Sequence, residues 1–176
     1  MASIPDQRYE ELLPYVQDLH ESKLANGEWL EQKGWQILSF GSSTFAIVSI
    51  LLALLAQKAD VNSVFWGALA VVIVLYGLMA AAAIKVIIPA DYMFTPGTFS
   101  DSQGAAQWSQ RYLESSDEDF RLQLLSNYLG DGTETGTIQD NERINRRKGW
   151  WLVVALNLLA ATMAGQVLLA IIAVVA

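Results

Sequence analysis

Three long runs of this chain, Gln36 to Ala56, Val64 to Ile84 and Trp150 to Ala176, contain no Asp, Glu, Lys, Arg or His. About 20 apolar residues at ~1.5 Å rise cross a ~30 Å hydrocarbon core, and a buried helix of a soluble protein would normally show a polar face over that length. The pattern therefore predicts three transmembrane helices. The first two form a hairpin closed by the short turn Gln57 to Asn62. Charges bracket the runs closely: Lys33 before the first, Lys58 and Asp60 in the turn, Lys85 after the second, and Arg146, Arg147 and Lys148 before the third.

Outside these runs the periodicity is helical. Tyr9, Leu12, Leu13, Val16, Leu19 and Leu24 predict an amphipathic helix over 5–25, capped by Ser3 to Asp6 with Pro5 in its first turn. Pro14 predicts a kink there, and Asn26-Gly27 a second weak point. The segment from Ala90 to Trp150 is too long for a plain connection. Within it, Asp91 to Gly97 reads as an interfacial loop. Ser102 caps a helix carrying Trp108, Tyr112 and Leu113, and Ser116 to Asp119 cap another carrying Phe120, Leu124, Leu125, Tyr128 and Leu129. Gly130 to Gly136 is a solvated turn. Thr137 to Asp140 then cap a helix that continues through Lys148 into the third run. The expected fold is an all-α integral membrane protein with three transmembrane helices and a cytoplasmic helical module. Its parts are 1–35, the hairpin 36–89 (36–56 and 64–84), the helical segment 90–149 and the last span 150–176. Trp29, Trp108, Phe120 and Tyr128 are expected to pack on one another or on the last helix.

Charge fixes the topology. Ten of the eleven Lys and Arg residues lie outside the 57–62 turn and on the same side as the N-terminus. The positive-inside rule then places the N-terminus and 90–149 in the cytoplasm and the C-terminus outside. Lys33, Trp35, Lys148, Trp150 and Trp151 are the expected inner interface anchors, and Trp66 the outer one. Lys33-Gly34-Trp35 and Lys148-Gly149-Trp150 repeat one anchoring pattern at the same membrane position. The net charge of −7 argues against a nucleic-acid partner, which needs a clustered basic face. The basic cluster Arg143 to Lys148 abuts a span, where anionic headgroups account for it. With no cysteine there is no disulfide and no thiolate site. The first span begins too late and runs too long for a signal peptide, so it is expected to remain in the mature chain.

Candidate chemistry is sparse. Positions 39, 42, 46, 49, 53 and 56 form a stripe of Ser and Ala in the first span, an expected packing seam toward another helix or subunit. Ser39, Ser42 and Ser49 supply its hydroxyls. Ala70, Gly77, Ala80 and Ala81 make a similar strip in the second span, and Asn157, Ala161, Ala164 and Gly165 in the third. Asn157 is costly toward lipid and is expected to face the bundle or a subunit contact, with Gln166 and the serines as alternative pore lining. His20 is expected to face solvent. Catalytic, cofactor and metal residues are expected to be absent, so the chain reads as non-enzymatic. Membrane lipids and self-association are the expected partners, with other membrane subunits or a small signalling ligand as further ones.

One resemblance bears on function. Leu30-Glu31-Gln32-Lys33 leading into a two-span hairpin, the Phe94-Thr95-Pro96-Gly97 loop, short acidic helices and Asn141-Glu142-Arg143-Ile144-Asn145-Arg146-Arg147-Lys148 before a last span resemble small bacterial membrane proteins. Among these are the SLATT-type and Pycsar-type transmembrane effectors of phage defence. The resemblance implies an oligomeric inner-membrane effector that forms a pore or disrupts the membrane, gated through its cytoplasmic helices. It covers most of the chain at the level of layout and carries over no functional residue. There is no recognisable nucleotide-binding domain, so sensing would need a composite site. The alternative is an accessory or scaffold subunit of a larger membrane complex.

Overall fold

A computed structural model describes residues 6–56, 63–90, 92, 117–130 and 136–175. The described residues form four helices: α1 (Asp6–Ala56), α2 (Ser63–Ile87), α3 (Asp117–Leu129) and α4 (Thr137–Val175). Three contain stretches long and apolar enough to cross a membrane, Leu12–Leu54, Ser63–Ile87 and Thr137–Val174. At most 28% of the most apolar window of any of them is buried. Apolar helices with so much outward surface suggest a multi-pass membrane protein. Several expectations lie outside the described residues: the cap at Ser3, the turn 57–62, the Phe94 to Gly97 loop, the helix after Ser102 with Trp108, the cap at Ser116 and the acidic positions 132 and 134. The side chains of Tyr9 and Phe120 do so as well.

The chain divides into two compact units. One comprises Met1–Glu28 with Ala90–Arg146, the other Trp29–Pro89 with Arg147–Ala176.

The apolar unit is a three-helix bundle. On α1 the inward positions are Leu30, Gly34, Ile37, Gly41 and Leu52, with Phe45 and Val48 partly buried. On α2 they are Phe65, Val72, Met79, Ala83 and Val86, and on α4 Leu152, Ala155, Thr162, Gln166, Leu169 and Ala173. Steps of three and four alternate along each helix, the ~3.5-residue repeat of knobs-into-holes packing. All faces of these helices are apolar, so side-chain size chooses the inner one. A Cβ at Gly34 would lie 3.1 Å from Val86 Cβ, and one at Gly41 would lie 2.6 Å from Met79 Cε. The two glycines stand one heptad apart and bring α1 against α2. Ser42 then shares a 2.9 Å hydrogen bond with the Tyr76 hydroxyl, and Phe45 stacks on the same ring at 4.2 Å.

The second unit is held by Val16 of α1, Leu125 and Tyr128 of α3, and Ile138 of α4, with Leu13, Leu19 and Leu124 around them. Tyr128 is thus buried as expected of an apolar face seeking a partner. The helix α1 runs unbroken through Pro14 and Gly27, against the expected kink and break. One lost hydrogen bond does not end a helix of 51 residues. At 27 the missing side chain is used, since a Cβ there would collide with the Tyr92 ring. The helix α3 ends at Gly130, whose φ of 84° suits only glycine and whose N–H donates to the Ser126 carbonyl at 2.6 Å. At the start of α4 the Gly136 carbonyl accepts from the Asp140 N–H at 3.1 Å, while the Thr137 hydroxyl is buried with no hydrogen-bond partner. The expected side-chain cap is therefore replaced by a glycine in the cap position.

Candidate functional site

Polar groups gather on the inward side of α4 before its apolar run. Asn141, Asn145 and Lys148 follow one another by four and three residues, so a single helix face carries all three. Each is buried. In the apolar unit the Lys148 ammonium donates to Glu31 Oε1 of α1 and forms an ion pair with it. Lys148 was expected as an interface anchor, but its side chain is only 6% exposed and its charge is spent inside the protein.

In the other unit Asn145 bonds in both directions. Its Nδ2 donates to the Lys23 carbonyl at 2.7 Å, and its Oδ1 accepts from the Tyr92 hydroxyl at 2.9 Å. Lys23 approaches Glu142 at 3.6 Å, and Arg146 approaches the same carboxylate at 3.4 Å. These latter pairs are substantially exposed and contribute little. The Asn145 bonds tie three separated stretches of chain together.

His20 corrects an expectation. It is buried rather than solvent-facing, because it sits four residues after Val16 on the face that packs against α3. Its ring meets Tyr128 edge-on at 5.2 Å, and neither nitrogen has a hydrogen-bond partner. Burial lowers the imidazole pKa below its ordinary 6.5, and the neighbouring Glu21 carboxylate partly opposes that shift. A histidine held below its solution value favours the fold while neutral. Its contribution is complete above pH 6.5 and is lost as pH falls through the lower folded-state value. Acidification from about pH 7.5 to about pH 5 is expected to weaken amide protection in α3, and His20→Phe to flatten that dependence in hydrogen exchange.

The expected packing and pore residues scatter. Ser39 is exposed, Ser42 is held by Tyr76, and Ser49 is partly buried beside Phe45 and Trp66 along an apolar groove of ≈340 Å³. The Ser and Ala stripe of α1 is thus not the seam of the bundle: Ser39, Ala46 and Ala53 face outward. Asn157 is exposed and Gln166 is buried. Nine residues at ~100° each place them about 180° apart, so one pore within a protomer cannot be lined by both. Ala70, Gly77 and Ala81 are exposed as well. Among the anchors, Trp35, Trp66 and Trp150 are exposed, while Trp151 packs partly on the bundle and meets Trp150 edge-on at 4.6 Å. Lys33 donates to Gln36 Oε1 at 3.1 Å and lies 5.7 Å from the Trp29 ring centre. Trp29 itself is half-exposed rather than packed away.

No family model, curated protein or solved structure matches this chain. Function must be argued from these placements alone. Among the described residues no cluster of three His, Asp or Glu side chains could hold a metal ion. The sequence had signalled the buried polar face through the 141, 145 and 148 spacing, although it was read there as part of a layout. The Gly34 and Gly41 pair was missed. Two glycines seven residues apart in an apolar run were its signal.

Proposed function

We propose that this chain is a non-enzymatic, homo-oligomeric protein of the bacterial inner membrane, a pore-like effector gated through the polar helices that flank its spans. The carrying observation is Asn157, a carboxamide exposed on the outside of the bundle. It lies well inside an apolar helix, with exposed Ala160, Ala161 and Ala164 after it. A carboxamide facing lipid loses hydrogen bonds that only another protein surface can return. Donor and acceptor in one group let a copy of itself serve. The small residues allow the close approach such a contact needs. A different outward strip, Ser39, Ala46 and Ala53 on α1, offers the second patch that a ring of like subunits requires. The positive-inside asymmetry orients the assembly with its N-termini in the cytoplasm. In this reading Asn157 lies between protomers, and the buried Thr162 and Gln166 support the fold of each one.

The experiment is native mass spectrometry of the complex released from native membranes into lipid nanodiscs. A defined homo-oligomer is expected, and Asn157→Leu is expected to weaken it by about 1 kcal/mol per contact, with a parallel loss of conductance in planar bilayers. A monomer would refute the proposal. A hetero-complex of fixed composition would make the chain an accessory subunit instead.

A further inference from the structure

The charged end of the apolar unit carries a groove between α1 and α4 that the oligomer reading does not use. Its volume is ≈330 Å³. The floor is formed by buried Ile37 and Leu152, and the walls by half-exposed Trp29 and Phe40 on one side and Leu156 on the other. From Trp29 to Phe40 the groove follows eleven residues of α1, about 16 Å at ~1.5 Å each, roughly one leaflet of a ~30 Å hydrocarbon core.

The groove is polar only at one end. There the Lys33 ammonium is steadied by its hydrogen bond to Gln36 and by the Trp29 ring. The 5.7 Å distance lies within cation–π range. Lys148, which carries the same charge in the same tripeptide context, is already neutralised by Glu31. Lys33 has no carboxylate partner among the described ion pairs, so its charge is available to an anion from outside.

We propose that this groove binds one anionic glycerophospholipid, its phosphate on Lys33 and an acyl chain laid over Ile37, Phe40, Leu152 and Leu156. Charge complementarity selects the headgroup, and the apolar length selects a chain rather than a free phosphate. The site depends on the three apolar helices lying in a bilayer and not on self-association.

The test uses the full chain in mild detergent, titrated with phosphatidylglycerol and phosphatidylcholine and followed by native mass spectrometry. One phosphatidylglycerol per chain is expected to be retained under conditions that strip phosphatidylcholine. Lys33→Gln is expected to reduce retention about fivefold, the effect of one basic residue at a membrane surface. Leu156→Trp fills the groove at an exposed position and keeps the lysine. It is expected to reduce retention at least as much. Lys85→Gln removes an exposed lysine from the end of α2 and is expected to change nothing. The proposal is overturned if Leu156→Trp binds like the natural chain, if Lys85→Gln loses as much as Lys33→Gln, or if both lipids are held alike. It is also overturned if a second copy of the chain, and no lipid, shields the groove residues. Asn157→Leu should leave lipid retention unchanged, which separates failure of this site from failure of the oligomer.

Discussion

Replacing Glu31 with leucine is expected to cost about 3 kcal/mol of stability, the lower end of the range for breaking a buried ion pair. The size follows from which partner is left behind. Lys148 is 6% exposed at its side chain and Glu31 is 30% exposed. Glu31→Leu removes the carboxylate that neutralises an ammonium deep in the protein. Lys148→Met leaves a carboxylate that can still reach water and is expected to cost only about 1 kcal/mol. The double variant is expected to recover most of the larger loss, because it leaves no uncompensated charge and fills the space with apolar atoms. Thermal unfolding in mild detergent, followed by circular dichroism, measures all three. Equal losses for the two single variants would show that the pair is not buried asymmetrically.

Asn145→Leu is expected to have the next largest effect, about 2–3 kcal/mol on the unit it belongs to. Leucine matches the volume but neither accepts from the Tyr92 hydroxyl nor donates to the Lys23 carbonyl, the two partners of the natural side chain. Both lie on segments far away in sequence, so α1, the stretch after α2 and α4 lose a common tie. Tyr92→Phe removes one of the two bonds and is expected to cost about 1 kcal/mol. Hydrogen exchange resolved by segment should show the loss near Lys23 and Tyr92, with the amides of α2 unchanged. Loss of protection in α2 as well would mean that Asn145 acts beyond its own unit.

The helices themselves were legible because length and the absence of charge decide them. The three apolar runs, the helical periodicity before the first and the continuous helix from Thr137 are all present in the structure. Orientation about each helix axis was not legible. In an apolar helix, polarity no longer separates inside from outside, and two stripes of α1 run at the same spacing. One holds Ser39, Ser42 and Ala46, the other Gly34, Ile37 and Gly41. Only the closeness of approach separates them, and that depends on α2 supplying Met79 and Val86. The two Lys-Gly-Trp tripeptides make the same point. Gly34 is packed against Val86 while a Cβ at Gly149 would meet nothing within 4 Å. Lys33 is partly exposed while Lys148 is buried. Identical local sequence takes different roles because the opposing helix differs. His20 was misplaced for a related reason: the face that buries it is completed by Tyr128, more than a hundred residues later.

The pairing of Glu31 with Lys148 also has a timetable. The two residues are 117 positions apart, and synthesis at roughly 5–20 residues per second separates their appearance by roughly 6–23 s. Through that interval α1 and α2 already possess their mutual contacts at Gly34 and Gly41, yet the carboxylate has no lysine to meet. A ribosome that stops early therefore releases a hairpin that is packed but carries an unmatched acid at its charged end, a chemical mark that tells the truncated product from the finished one.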